Sequence, residues 1–305
     1  MFRLLLVDGN SLLPPRHDLP SSFAIFRARW DDTTHRPTAY CLQEELMALP
    51  VFVINLARST DRLGRICAEF DRVGVPFNRF EGVDALSIPS ELRRYFCDAS
   101  GVLTSPLRPG EIGCYASHLA LWTRIAGGEC GDAALICEDD IRLPDDLISL
   151  LDDLIAALPV GWDVVRLSSV IRYAVVPVAP VGCRTLVRFS REPVKTGATL
   201  VSCNGARKLL AARIRTRPVD QDLRCPWEFE ALDTYGVAPV PIVQDDAMSL
   251  VEALGGHTSI RYGRQLRAVP WQRLRHNLPR LGFGPWLKCL IWNVVGRKLM
   301  RGRPA

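Results

Sequence analysis

The sequence holds no run of about 18 uninterrupted apolar residues, so no membrane-spanning helix is predicted. No C-x-x-C pair occurs among its ten cysteines, which are scattered singly from Cys41 to Cys289. Zinc-finger and thioredoxin-like readings therefore have no support. In a chain of 305 residues such cysteines read as buried free thiols of a reducing compartment. The patterns G-x-x-x-x-G-K-S/T, G-x-G-x-x-G and H-E-x-x-H are all missing, which removes the phosphate-loop, dinucleotide and zincin readings. Near the start only Leu4–Val7 is apolar and no small-residue cleavage site follows, so no signal peptide is predicted and a cytoplasmic location is expected. The last absence is local. Residues 253–305 contain 11 Lys/Arg and no Asp or Glu, whereas the rest of the chain carries 27 basic and 33 acidic groups. An acidic body with a basic tail suggests a membrane or nucleic-acid surface. The tail has no recognisable nucleic-acid module, so no nucleic-acid partner is expected.

What is present begins irregularly. Residues 1–46 mix Pro14-Pro15, Pro20-Ser21-Ser22 and Asp31-Asp32-Thr33-Thr34 with little periodicity. They read as an N-terminal extension, either a poorly ordered arm or a start-site artefact with Met47 as the initiator. A strand over Val51 to Leu56 follows. Ser59 then opens a helix with Leu63, Ile66, Phe70 and Val73 at helical spacing and Gly74 as its stop. A second strand is predicted over Pro76 to Phe80. Strand, helix, strand within about 35 residues is a βαβ start and sets the class as α/β. Later elements are a short helix near Glu91–Phe96, a helix after Pro109 with Ile112, Leu119, Trp122 and Ile125 inward, and a strand over Ala133–Cys137. Then come a helix after Pro144, a strand over Asp163–Leu167, a hairpin within 168–193, a strand running into a helix capped by Asn204, and a last strand over Pro239–Val243.

The strand at Ala133–Cys137 stops at Glu138, Asp139 and Asp140. Ligands of open α/β sheets bind beyond the carboxyl ends of strands. Acidic oxygens suit hard cations such as Mg²⁺ and Mn²⁺, so the triplet reads as a metal-diphosphate site. The competing reading is a solvated strand end whose acids favour the next helix N-terminus.

Val53-Ile54-Asn55-Leu56, Arg58, Asp61-Arg62, Gly82-Val83-Asp84, Gly110-Glu111-Ile112-Gly113-Cys114, Ser117-His118, Glu138-Asp139-Asp140 and Pro218-Val219-Asp220 occur in that order. The series resembles the family 25 glycosyltransferases, which include the lipooligosaccharide galactosyltransferases of bacteria. The resemblance runs over about residues 49–262, ending weakly at Gln244 and Thr258-Ser259-Ile260. It implies a GT-A-like domain over 47–262, with a Rossmann-type mixed sheet flanked by helices and a UDP-hexose as donor. It also implies a D-x-D-type site for Mn²⁺ or Mg²⁺. Within the triplet the direct metal contact falls to Asp140, with Glu138 nearer the ribose or the metal's water. Arg58 and Arg62 would hold the uracil or the phosphates. Asp84 would accept from the uracil, and Ser117 and His118 would line the donor or metal site. Glu111, in the first turn of its helix, reads as structural. An inverting transfer needs a carboxylate base. Asp220 and Asp222 are the candidates, with Glu228 and Glu230 behind them.

Residues 263–305 form a basic tail. From Phe283 to Leu299, Trp286, Leu287, Leu290, Ile291, Val294 and Val295 recur at helical spacing among Lys288, Arg297 and Lys298. That mixture fits an amphipathic helix on an anionic membrane; a helix packed on the domain is the alternative. The expected protein is an inverting, metal-dependent transferase of galactose from UDP to a lipopolysaccharide, glycolipid or oligosaccharide acceptor. It would be peripheral on the inner face of the cytoplasmic membrane. The rivals are a retaining or non-galactosyl transferase and a catalytically silent relative that binds glycans or scaffolds a complex.

Overall fold

The computed structural model describes residues 49–230, 232–245 and 270–296, and the backbone alone of 5–8, 25–31 and 36–41. The chain divides into two units between Ala48 and Leu49. In the first, β1 (Leu5–Asp8) runs parallel to β2 (Ile25–Asp31), which pairs antiparallel with β3 (Arg36–Cys41). The stretch read as an irregular extension thus contains a three-stranded sheet.

The second unit opens with β4 (Val51–Asn55), α1 (Thr60–Val73) and β5 (Asn78–Glu81). Gly74 ends α1 in the left-handed conformation, φ 68°, which costs glycine little. The long helix α2 (Pro109–Ala126) leads to β6 (Ala133–Glu138) and the two-residue β7 (Ile141–Arg142). After α3 (Leu147–Ala157) come β8 (Val164–Arg166), the hairpin β9 (Val175–Val181) and β10 (Arg184–Phe189), and β11 (Ala198–Ser202). Then follow α4 (Cys203–Leu209), α5 (Val219–Asp222), β12 (Thr234–Ala238), β13 (Val243–Gln244), α6 (Pro270–Leu281) and α7 (Phe283–Ile291).

Eight strands form one mixed sheet in the order β5-β4-β6-β11-β8-β12-β10-β9. β4 lies parallel to both β5 and β6, and β11 runs antiparallel between β6 and β8. β8 and β12 are parallel, so β5, β4, β6, β8 and β12 all end at one edge. The α/β mixed sheet flanked by helices is the predicted class. β13 pairs with β7 outside the sheet and returns the chain to the end of β6.

Three local expectations are corrected. α2 is buried nearly all round, not along one stripe: Tyr115, Ala116, Ser117, His118 and Leu121 are buried as well as the predicted positions. Its helical spacing marked only the most apolar of several packed faces. Ser202, not Asn204, caps α4, its hydroxyl accepting from the Gly205 N–H. The last strand of the sheet is Thr234–Ala238; Pro239, which has no N–H to give a ladder, stands just past its end.

The helices after residue 270 dock on the sheet. Arg280 donates to Asp233 Oδ1 at 3.0 and 2.8 Å and to the Thr234 carbonyl at 3.0 Å. Asn277 donates to the Ser190 carbonyl at 2.8 Å, and Asn293 to the Ser190 hydroxyl at 3.0 Å. Over this stretch the tail is thus packed against the sheet, while residues 263–269 and 297–305, the latter with Arg297, Lys298, Leu299, Arg301 and Arg303, lie outside the described residues. Among the described residues no helix is long and apolar enough to cross a membrane.

His276 is buried in this seam, 2.8 Å from Arg280 Nη1. Burial first, then the Arg280 charge, pushes its imidazole down to about 4. An unfolded histidine titrates near 6.5, so the folded protein binds fewer protons between these values. Stability is complete above pH ~6.5 and falls as pH drops through ~4, by an amount on the order of 2–3 kcal/mol. His276→Gln should flatten the urea midpoint relative to the parent over this range; parallel pH profiles would contradict the assignment.

Candidate active site

The site lies where β4, β5 and β6 end. A cavity of about 410 Å³ opens there, with Glu138, Asp139 and Asp140 on one side, Arg58, Arg62 and Asp84 at another, and Gly113, Cys114, Ser117 and His118 of α2 facing them. The structure thus brings together every predicted donor and metal residue.

The three acids have different partners. Asp139 is committed to its neighbours: Asn55 Nδ2 donates to it at 2.7 Å and Arg62 holds its other oxygen. Burial raises its carboxyl against the pull of Arg62 and Asn55. Glu138 accepts from Thr196 Oγ1 at 2.6 Å and from Gln244 Nε2 at 3.0 Å. The same Gln244 amide reaches Asp140 Oδ1 at 3.1 Å. Burial works against ionisation of Glu138, but His118, Thr196 and Arg62 outweigh it and hold it below the usual range. Asp140 fares worst. Burial and the charge of Glu138 push it up to about 7, although Arg62 lies 3.4 Å away.

This arrangement fits a divalent cation. Glu138 and Asp140 are two hard oxygen donors held side by side by one amide, and Asp140 is short of positive charge. His118 is 1% exposed with no hydrogen-bond partner on either ring nitrogen, and its Nε2 lies 3.5 Å from Glu138 Oε1. An unsatisfied buried nitrogen is costly, and ligation would satisfy it.

Other motif residues have structural work. Ser117 donates to the Gly113 carbonyl and accepts from the Val83 N–H, each at 2.8 Å. A Cβ on Gly113 would stand 2.7 Å from the Val83 carbonyl oxygen. Gly113 and Ser117, one turn apart, therefore clamp the loop after β5, while Cys114 and His118 face the cavity. Glu111 accepts from the Arg108 N–H at 2.9 Å and caps the helix, as expected. Asp84 accepts from the Leu86 N–H at 3.0 Å and from Arg58 at 2.6 Å, and these bonds hold its carboxyl low. Both side chains are exposed at the rim.

The four carboxylates considered as base separate clearly. Asp222 is 0% exposed and accepts from Tyr115 at 2.6 Å, Arg213 at 2.7 Å and Arg217 at 2.7 Å. It holds a buried cluster that includes Arg215, stacked over Tyr95 and Tyr115, and its geometry suits a tether, not a base. Glu228 pairs with Arg217, and Glu230 is exposed at φ 53°. Residues two apart on a helix point to roughly opposite sides. Asp220 therefore leaves the helix on the side away from Asp222; it accepts from Gln221 Nε2 at 2.8 Å, does not line the cavity, and lies within electrostatic reach of Arg166, Glu138 and Cys114. Burial raises Asp220, with Gln221 and Arg166 opposing.

The model of glycosyltransferase family 25 (LPS biosynthesis protein) matches residues 48–222. The chain belongs to glycosyltransferase family 25. It is 28% identical over 199 residues to a rat protein (Rattus norvegicus) described as probable inactive glycosyltransferase 25 family member 3, covering 61% of this chain and 34% of that one. A Xenopus laevis protein, procollagen galactosyltransferase 1-B, is 34% identical over 136 residues, 43% of this chain and 22% of that one. The chain therefore spans about a third or less of these curated relatives. A solved glycosyltransferase involved in glycosylation of the major capsid of PBCV-1 matches at a TM-score of 0.38 and 10% identity, over 72% of this chain and 99% of that one, a loose likeness.

Thr196 and Arg166 were not marked in the sequence, and Asn55, Cys114 and Gln244 stood in the motif series without a role. Arg166 ends β8 fully buried and donates to the Lys195 carbonyl. Asn55 had a signal, a polar residue closing an apolar strand. Thr196 comes from a distant loop that no local pattern marks, and Gln244 from β13.

Gly113→Ala should cost about 1–3 kcal/mol, because the helix and the Val83 carbonyl must separate. A lowered urea midpoint checks this; unchanged stability would show that the loop yields freely.

Proposed function

We propose that this member of family 25 is a metal-dependent, inverting glycosyltransferase that moves a hexose, galactose in the first instance, from UDP to a glycan acceptor. The observation that carries the reading is the pair of carboxylates Glu138 and Asp140, held side by side by one Gln244 amide in a cavity large enough for part of a nucleotide-sugar. Mn²⁺ or Mg²⁺ held by Asp140 and Glu138 would offset the charge of the departing diphosphate. Arg62, now bound to Asp139, is placed to turn to the phosphates. Arg58 and Asp84 at the rim would meet the base. Asp220 would take the proton of the acceptor hydroxyl as the anomeric carbon is attacked through an oxocarbenium-like transition state. Its raised carboxyl is the stronger base for that role.

The LPS wording of the family description and the name of the frog relative favour a lipopolysaccharide, glycolipid or protein-linked glycan acceptor and galactose. The name of the rat relative favours the silent alternative; the complete acidic triplet and Asp220 favour catalysis. A panel of nucleotide-sugars assayed with Mn²⁺ or EDTA decides between them. UDP-galactose turnover that EDTA abolishes is expected, and no turnover with any donor and acceptor would leave the silent reading. Asp220→Asn should lower kcat by about 10²-fold or more with little change in donor affinity; loss of donor binding would place Asp220 on the nucleotide instead.

The membrane partner rests on α6 and α7. Trp271, Phe283, Leu287, Leu290, Ile291 and Trp292 are exposed, with Lys288 among them. Aromatic and aliphatic side chains beside cations suit the interface of an anionic leaflet, at about 1 kcal/mol per basic residue. Such contact would place the enzyme on the cytoplasmic face beside a lipid-linked acceptor. Replacing Trp271, Phe283 and Trp292 by Ser should release the protein from anionic vesicles at low salt and spare transfer to a soluble acceptor. A parent protein that ignores such vesicles would contradict the membrane reading.

A further inference from the structure

We propose that Cys114, His118 and Glu138 form a second metal site, which takes a thiophilic divalent cation of the zinc class and closes the hard-cation site beside it. The closing effect rests on the function proposed above; the binding itself does not.

Cys114 and His118 lie four residues apart on α2, so both side chains leave one face of the helix. Glu138 meets them from the end of β6. Cys114 Sγ, a His118 ring nitrogen and a Glu138 oxygen all lie within 4.8 Å of one another. Zinc bonds of about 2.0–2.3 Å in tetrahedral geometry bring donor atoms to roughly 3.5 Å, so side-chain rotation of about 1 Å closes the set. The buried His118 nitrogens have no hydrogen-bond partner, and Nε2 already points at Glu138. Cys114 lines the cavity, which leaves the fourth position open to it.

Donor chemistry separates the two sites. Thiolate and imidazole select zinc or cobalt, whereas the paired oxygens of Glu138 and Asp140 suit manganese or magnesium. On zinc binding the Cys114 sulfur loses its proton to solvent and bonds the metal. Glu138 belongs to both sets. Drawn toward α2, it leaves Gln244 and Asp140, and the hard-cation pair is broken.

Cobalt(II) titration of the full chain tests the site without nucleotide or sugar. One equivalent should give the near-ultraviolet thiolate-to-cobalt charge-transfer band, removed by zinc and not by magnesium. Cys114→Ala should abolish the band and weaken zinc, measured against a chromophoric chelator, at least tenfold. Should that variant fail to fold, Cys114→Ser, nearly isosteric but without the soft donor, takes its place with the same expected result. No band in the parent protein, or band and affinity retained without the Cys114 thiol, overturns the proposal. Manganese binding followed by its paramagnetic resonance should disappear as zinc fills the site; simultaneous binding of both would overturn the closing effect. A silent transferase assay leaves all of these readouts intact.

Discussion

Three carboxylates crowd the place where β6 leaves the sheet, and Arg62 is the guanidinium that answers them. It is spent mainly on Asp139, with Asn55 as the second donor. Glu138 accepts from Thr196 and Gln244, and His118, Thr196 and Arg62 hold its carboxyl below the usual range against burial. Asp140 receives the remainder: a 3.1 Å bond from an amide that it shares and a guanidinium at 3.4 Å. Desolvation then wins, as it does for a buried carboxyl without a full charge partner. Asp140 is left short of positive charge, the imbalance on which the proposed cation site rests, and the neighbouring elements hold that imbalance in place.

α2 is the principal support. Gly113 and Ser117 fix the loop after β5, so the Arg58–Asp84 rim stands at a set distance from the acids. The same helix turns Cys114 and His118 inward. Farther along, Tyr115 and Trp122 meet edge to face at 6.1 Å, and the Tyr115 hydroxyl reaches Asp222. Asp222 gathers Arg213, Arg215 and Arg217 beneath α5. Removing one member of such a buried set leaves uncompensated charge, so the cluster fixes the helix from which Asp220 projects. One helix thereby connects the rim, the acids at the end of β6 and the Asp222 cluster.

Much of this was legible in order along the chain. The strand opening at Val51, the Gly74 stop and the acidic triplet are local patterns that set the α/β class, and the cavity members came from the family resemblance. The failures are tertiary. Nothing in the sequence around Asp220 and Asp222 tells which of two acids is wrapped by arginines. Ser117 lines the cavity, and the sequence does not tell that the Val83 N–H also uses its hydroxyl. Gln244 joins Glu138 and Asp140 from more than a hundred residues away, brought there by the β7–β13 pairing. Thr234–Ala238 follows an acidic loop and carries Gly236 at its centre, which weakens its strand pattern beside the apolar Pro239–Val243.

The central claim is that Asp140 and Glu138 need a divalent cation to bind the diphosphate. Calorimetric titration of UDP into the protein tests it, with Mn²⁺ and with EDTA, for the parent and for Asp140→Ala. The account predicts binding by the parent in Mn²⁺, loss of at least tenfold in affinity in EDTA, and the same weak binding by folded Asp140→Ala under both conditions. Equal UDP affinity with and without the metal, or an Asp140→Ala protein that binds as the parent does in Mn²⁺, would contradict it.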